Sequence, residues 1–161
     1  MPLYHTHLHD EAGTAALGAA LAGALSPGLA IYLQGDLGTG KTALTRALLH
    51  AAGYQGRVKS PTYTLAEPYT IKLAERMVTV IHFDLYRMAS AQEFLEAGFR
   101  EHFNESSVCI IEWPEKGEPA LPAPDIQIHL TVAGHGRDVE LRALSVKGHQ
   151  CLARLKFAPN L

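Results

Sequence analysis

The chain has 161 residues, of which 47% are hydrophobic and 19% are charged, and its formal net charge is −2. These values are typical of one folded domain with a single core, and they exclude a disordered chain. The slightly acidic balance argues against a protein that grips nucleic acid through bulk charge alone, but it leaves room for a local basic patch or for nucleic acid presented by a partner.

Three further features bear on domain organisation and location. The two cysteines, Cys109 and Cys151, are too few for a disulfide framework, and Cys109 lies in an apolar run typical of a core. No signal peptide is visible, and no apolar run approaches the roughly 18 residues that cross a bilayer. We therefore expect a single domain over residues 1–161, located in the cytoplasm.

Histidines alternate at the start of the chain, at His5, His7 and His9. On a strand they would share one face, but a zinc site would need further ligands at matched spacing. We interpret this segment as an exposed N-terminal strand.

The first half of the chain shows two helical patterns around a short apolar run. Asp10 is suited to cap a helix, and apolar residues follow at helical spacing from Leu17. Residues 29–33 predict a buried strand. After a glycine-rich loop, a second amphipathic helix ends at Gly53.

The middle of the chain predicts a loop, two strands and a helix. Residues 56–70 have no clear period, so we expect a loop there. Residues 77–83 and 108–111 are apolar and rich in β-branched side chains, which favours buried strands. Between them, Ser90 and Glu93 have the spacing of a capping box at the start of a helix.

The last third of the chain predicts a loop followed by a hairpin. Residues 113–124 contain four prolines and one glycine. Apolar and polar residues then alternate over 126–130 and again over 139–143, with Gly134-His135-Gly136 between them. Taken with the earlier elements, this order predicts an α/β sandwich with a mixed sheet and a C-terminal β-hairpin.

One motif carries most of the chemical information. Gly35-Asp36-Leu37-Gly38-Thr39-Gly40-Lys41-Thr42 matches the phosphate-loop pattern G-x-x-x-x-G-K-[ST] in full. Its glycines let backbone N–H groups turn towards phosphate oxygens, Lys41 can reach the β- and γ-phosphates, and the Thr42 hydroxyl is a hard oxygen ligand for Mg²⁺. Because the motif follows an apolar run and opens a helix, we predict a P-loop NTPase fold that binds a Mg²⁺–nucleoside triphosphate.

Two carboxylates stand at the ends of predicted strands. Glu112 ends the run 108–111, and Asp84 ends the run 78–83. Ligands of open α/β sheets gather at such strand ends. We favour Glu112 beside the metal and Asp84 as the group that orients the attacking water. The reverse assignment stays open, as does a simple capping role for Asp84.

A polar loop and a lone aromatic side chain are further candidates. Ser60, Thr62 and Thr64 could sense a γ-phosphate as a switch loop, or could belong to an ordinary surface turn. Trp113, the single tryptophan, is either a core residue or an aromatic contact that closes against the switch loop or a partner surface.

The motifs together resemble the TsaE (YjeE) family, the bacterial ATPases of tRNA threonylcarbamoyladenosine biosynthesis. The resemblance runs from about residue 10 to residue 154. One departure is the segment 71–76, which is longer and more charged than expected. It contains none of the motifs, so the departure concerns only a loop. The stretches that carry the resemblance are the phosphate loop, Ser60-Pro61-Thr62-Tyr63-Thr64-Leu65, His82-Phe83-Asp84-Leu85-Tyr86-Arg87 and Ile111-Glu112-Trp113-Pro114.

The resemblance implies partners and residue roles. Proteins of this kind work with TsaB and TsaD to modify an adenosine beside the anticodon, so contact with tRNA would be indirect. ATP and Mg²⁺ would be the cofactors, with Thr42 and Glu112 as metal ligands and Asp84 essential for hydrolysis. The adenine side would be built near Glu11 and Arg137.

Other functions fit parts of the pattern. A small-molecule kinase also uses a phosphate loop, although no clear arginine-bearing lid follows here. A GTPase is less favoured, because no N-K-x-D run is present to read guanine. A binding switch whose hydrolysis is incidental is the third alternative.

Overall fold

Seven strands and four α-helices are found in the part of the chain that the computed structural model describes, residues 3–61 and 63–157. Two short 3₁₀ turns, Phe99–His102 and Pro114–Lys116, lie in the connections. In chain order the elements are β1 (Leu3–Leu8), α1 (Glu11–Ala24), β2 (Ala30–Gln34), α2 (Lys41–Ala51), β3 (Ala66–Leu73), β4 (Arg76–Asp84), α3 (Ala91–Glu96), β5 (Ser107–Glu112), β6 (Ile126–Ala133), β7 (Gly136–Ala143) and α4 (Val146–Ala153).

The strands form one mixed sheet in the order β1-β7-β6-β2-β5-β4-β3. Its centre is parallel, because β2 pairs in parallel with both β5 and β6, and β4 pairs in parallel with β5. The flanking pairs, β3 with β4 and the hairpin β6–β7 with β1, are antiparallel. The predicted mixed sheet, its flanking helices and its C-terminal hairpin are confirmed. The carboxyl ends of β2, β4 and β5 therefore meet at one edge of the sheet.

Both faces of the central strands are covered, which explains their continuous apolar runs. Alternate residues of β2 enter different clusters. Ile31 and Leu33 pack with the buried leucines of α1 and α2, whereas Tyr32 packs with the cluster around Phe83 and Phe94 on the other face. This two-sided burial fixes the position of β2, and with it the start of the loop that follows.

The start of α1 agrees with the sequence pattern. The Asp10 side chain accepts a hydrogen bond from the Gly13 N–H at 3.0 Å. Leu17 and Leu21 are buried against α2. The cysteines are also buried, as expected of Cys109.

The expectation of a loop over residues 56–70 is wrong at its C-terminal end, where β3 begins at Ala66. In β3, Tyr69 and Ile71 are buried while their neighbours are more exposed. Pro68 obscured this alternation, but proline is tolerated because β3 is the edge strand of the sheet. The segment 71–76 completes β3 and turns into β4, so it is part of a hairpin.

The predicted capping box at Ser90 is also wrong in detail. Ser90 does occupy the N-cap position of α3, but its side chain makes no capping hydrogen bond. Glu93 Oε1 instead accepts from the Ala89 N–H at 3.2 Å. Glu93 therefore contacts Ala89, the residue before the N-cap, and not Ser90 itself.

Helix α4 was not predicted from the sequence. It starts at a cap in which the Ser145 hydroxyl accepts from the Gly148 N–H at 3.0 Å. Its buried Cys151 and Leu152 belong to the same apolar cluster as the buried leucines of α1 and α2.

Among the described residues, no helix is long and apolar enough to cross a membrane. In the same part of the chain, no three His, Cys, Asp or Glu side chains are grouped so that they could hold a metal ion.

Candidate functional site

The glycine-rich loop connects the buried end of β2 to the start of α2. Gly35 passes so close to the Leu130 carbonyl of β6 that a Cβ atom would collide with it. Gly40, with φ of 98°, adopts the left-handed conformation that glycine tolerates best. Since α2 starts at Lys41, its unpaired N-terminal N–H groups open into this loop and make it attractive to anions.

Lys41 is folded back over its own loop and is only 5% exposed. Its ammonium donates to the Gly35 carbonyl, and to the Asp36 carbonyl at 3.1 Å. It also lies 4.2 Å from the centroid of the Trp113 ring. Burial lowers the pKa of Lys41, and the nearby carboxylates, Glu112 first among them, oppose that shift.

Thr42, Glu112 and His82 form a chain of hydrogen bonds across the edge of the sheet. The Thr42 hydroxyl faces the two carboxylate oxygens of Glu112 at 3.1 and 2.9 Å. On the other side, His82 Nε2 lies 2.6 Å from Glu112 Oε2. Both Glu112 and His82 are buried. Glu112 is therefore held in one orientation, with an oxygen-rich surface directed at the start of α2.

Asp84 lies beside Glu112, because the two residues are register partners in the parallel pair β4–β5. Its Oδ1 accepts from the Tyr86 N–H at 3.1 Å, which caps the following turn. Its Oδ2 accepts from the Ser60 hydroxyl, also at 3.1 Å. One oxygen thus serves the turn, and the other faces the loop that contains Ser60.

These groups surround one pocket of about 470 Å³. Ten of the candidate site residues line it, so the structure brings most of the predicted site together. The lining residues are Leu37, Gly38, Thr39, Gly40, Lys41, Thr42, Ala43, Ser60, Asp84, Tyr86, Arg87, Glu112 and Trp113.

Four candidates are not brought into this pocket. Gly35 is outside its lining and borders a neighbouring cavity with Gln34 and Asp36. Glu11 is exposed at the start of α1. The Thr64 hydroxyl donates to Glu67 Oε1 at 2.9 Å, away from the pocket. Arg137 donates to the Gly38 and Thr39 carbonyls of the glycine-rich loop from outside the pocket.

One further candidate, Thr62, lies outside the described residues. Trp113 is half-buried in the pocket wall, with φ of 58° and its ring 4.9 Å from that of Tyr86. This placement is compatible with the aromatic-contact interpretation, whose functional part stays a prediction.

Sequence reasoning gave no role to three residues that the structure places here. His82 could have been found, because it stands two residues before Asp84 on a strand and so shares its face. Tyr86 and Arg87 line the pocket from the turn after β4. Both stand in the stretch 82–87 that carries the family resemblance, but no chemical role could be assigned to them from it, since their position depends on how that turn packs.

Fold and site together define a mixed α/β protein, in which a glycine-rich loop and two acidic strand ends surround one pocket. The family model described as "Threonylcarbamoyl adenosine biosynthesis protein TsaE" matches residues 8–139. The chain belongs to the TsaE family.

Individual relatives agree with this assignment. The chain is 47% identical over 123 residues to the tRNA threonylcarbamoyladenosine biosynthesis protein TsaE of Haemophilus influenzae, covering 76% of this chain and 75% of the relative. It is 36% identical over 123 residues to the protein of the same name from Treponema pallidum, covering 76% and 87%. Among solved structures, Bacillus subtilis YdiB is similar with a TM-score of 0.80 and 26% identity, over 96% of this chain and 94% of that one.

Proposed function

We propose that this chain is a Mg²⁺-dependent P-loop ATPase that supports the threonylcarbamoyladenosine modification of tRNA together with TsaB and TsaD. The name of its relatives in Haemophilus influenzae and Treponema pallidum supports the pathway. The single observation that supports the chemistry is the contact of Thr42 with Glu112 at the mouth of the glycine-rich loop.

The donor set at this contact suits Mg²⁺. A hydroxyl and a carboxylate are hard oxygen ligands, which this ion prefers. Their 2.9 Å separation also matches two neighbouring ligands on an octahedral ion with bonds of about 2.1 Å. When bound, Mg²⁺ would supply positive charge to offset that of the phosphates. In this proposal Thr42 and Glu112 hold the ion, and His82 keeps Glu112 in place.

The loop itself suits a polyphosphate. The start of α2 contributes N–H groups, and Lys41 is a buried cation at the centre of the loop. We propose that Lys41 and the residues from Gly35 to Thr42 bind the phosphates of ATP. Glu11 and Arg137 remain candidates for the adenine side only through the family resemblance.

Asp84 is the proposed group that orients the attacking water. Asp84 lines the pocket, its Oδ2 accepts from the Ser60 hydroxyl, and its carboxylate can accept a proton or a further hydrogen bond. Its second oxygen, which caps the turn at Tyr86, would keep the carboxylate from rotating. Ser60 would connect Asp84 to the candidate switch loop.

The proposed setting is the cytoplasm, where the chain would act on tRNA indirectly, through the complex. Its ATP cycle would support turnover by TsaB and TsaD, while the acyl transfer itself would take place on those partners. This division of labour predicts low ATP turnover by the chain alone and higher turnover in the complex.

The test is ATP turnover, measured as phosphate release, for the chain alone and with TsaB and TsaD. Lys41→Ala is the matched inactive control, since it removes the loop cation and leaves the pocket walls in place. We expect stimulation by the partners and ATP-dependent retention of the chain in a pull-down with them. Parent-like turnover by Lys41→Ala would contradict the phosphate-loop assignment. ATP consumption that needs a small-molecule acceptor, and not the partners, would favour a kinase.

A further inference from the structure

Arg137 contacts the phosphate loop from outside the pocket. Its guanidinium is placed by β7, where the Arg137 backbone pairs with Val132 on one side and Leu8 on the other. Nε donates to the Thr39 carbonyl and Nη2 donates to the Gly38 carbonyl, both at 3.0 Å. These two nitrogens form one edge of the planar guanidinium, so a rigid fork spans two successive carbonyls.

The third nitrogen ties this fork to its own strand. Nη1 donates to the Gly136 carbonyl at 2.8 Å. Within the described part of the chain, no carboxylate forms an ion pair with Arg137. Among the described residues, the hydrogen-bond partners of the guanidinium are carbonyl oxygens, and its positive charge lies beside the loop.

Holding a carbonyl also orients the N–H group of the same peptide plane. In a trans peptide, the C=O of one residue and the N–H of the next point in opposite directions, and the peptides of this loop are trans. A guanidinium that fixes the Gly38 and Thr39 carbonyls on the outside therefore turns the N–H groups of Thr39 and Gly40 to the inner side. The Thr39 N–H donates to the Asp36 carbonyl across the loop, at 3.3 Å.

We propose that Arg137 is a positioning residue, which holds the phosphate loop in the shape that turns its N–H groups towards a polyphosphate. The proposal rests on the proposed function for the identity of the ligand, but the bracing of the loop belongs to the free protein. It differs from the role implied by the resemblance, in which Arg137 lies on the adenine side of the nucleotide.

The first test needs no nucleotide. Amide hydrogen exchange of Thr39 and Gly40 is measured in the parent chain, Arg137→Ala, Arg137→Lys and Arg142→Ala. Arg142 is the matched control, because it is an exposed arginine on the same strand. We expect exchange at the Thr39 amide, which is hydrogen-bonded to the Asp36 carbonyl, to accelerate about tenfold in Arg137→Ala. The acceleration should be smaller in Arg137→Lys, which keeps the charge but loses the fork. Unchanged exchange in Arg137→Ala would overturn the bracing.

The second test separates positioning from base recognition. The affinities of ATP, GTP and inorganic tripolyphosphate are measured for the same four proteins. Positioning predicts that Arg137→Ala weakens all three ligands by a similar factor, roughly tenfold, whereas Arg142→Ala leaves them unchanged. A loss confined to ATP would overturn the proposal in favour of a base contact, and unchanged affinities would overturn it altogether.

Failure of the proposed function and failure of the Arg137 proposal give different results in these two tests. If the parent chain binds none of the three ligands, the proposed function fails, while the exchange data still decide whether Arg137 shapes the loop. If Arg137→Ala does not fold, Arg137→Lys carries both measurements. In that variant the proposal expects faster exchange and weaker binding than in the parent, and parent values for both would overturn it.

Discussion

His82 Nε2 lies 2.6 Å from Glu112 Oε2, in a pair of side chains that are both buried between neighbouring parallel strands. A charged carboxylate only accepts hydrogen bonds, so this contact needs a proton on Nε2 whenever Glu112 carries its charge. The other ring nitrogen, Nδ1, has no hydrogen-bond partner among the described residues. The histidine is thus directed entirely at the carboxylate.

His82→Leu should lower the free energy of unfolding by about 1–3 kcal/mol, because it leaves a buried carboxylate with one donor fewer. Urea denaturation at neutral pH measures this. His82→Gln is the matched control, since its amide keeps a donor at similar reach and should recover part of the loss. The effect of His82→Leu should also shrink in a Glu112→Ala background, because the two residues are coupled. Equal effects in both backgrounds would mean that the contact contributes nothing to stability.

Thr42→Ala and Glu112→Ala should each raise the Mg²⁺ concentration needed for half-maximal ATP turnover. Because both side chains are proposed ligands of one ion, the double variant should lose less than the sum of the two single losses. Titration of Mg²⁺ against rate gives the three values. Thr70→Ala, at an exposed threonine on the edge strand, is the control and should keep the parent curve. Fully additive losses would mean that Thr42 and Glu112 do not bind the same ion.

The emission of Trp113 should change when Mg²⁺–ATP is added. Trp113 is the single tryptophan, and its ring lies 4.2 Å from the Lys41 ammonium. If the Lys41 ammonium leaves the Gly35 and Asp36 carbonyls to bind a phosphate, its positive charge moves relative to the Trp113 ring, and the emission changes. A fluorescence titration measures the change, with Mg²⁺ alone and Lys41→Ala as controls that should stay flat. If saturating nucleotide leaves the emission spectrum unchanged, Trp113 is better interpreted as a core residue.

Sequence reasoning succeeded where local pattern decides geometry. Asp84 and Glu112 follow apolar runs, and neighbouring parallel strands end at the same edge, so their proximity could be expected before the register was known. The edge strand β3 was missed because a proline interrupts its weak alternation. The contact of Arg137 with Gly38 and Thr39 joins segments about a hundred residues apart, and no local pattern encodes it.

Asp84→Asn is the sharpest test of the catalytic proposal, since the two side chains are nearly isosteric. The asparagine oxygen can still accept from the Tyr86 N–H, so the turn should keep its cap. The amide nitrogen in place of Oδ2 can neither accept a proton nor carry negative charge. If Asp84 orients or deprotonates the water, turnover should fall by roughly 10²-fold or more while ATP still binds.

Two controls decide between the roles of Asp84. Ser60→Ala removes the donor to Oδ2 but keeps the carboxylate, so it should cost far less turnover than Asp84→Asn if the charge performs the chemistry. Asp84→Ala removes the cap as well and should add about 1 kcal/mol of destabilisation. If Asp84 is instead a metal ligand, excess Mg²⁺ should rescue part of the Asp84→Asn defect. Turnover like that of the parent in Asp84→Asn, with stability lost only in Asp84→Ala, would reduce Asp84 to a cap, and the attacking water would have to be oriented by another group lining the pocket.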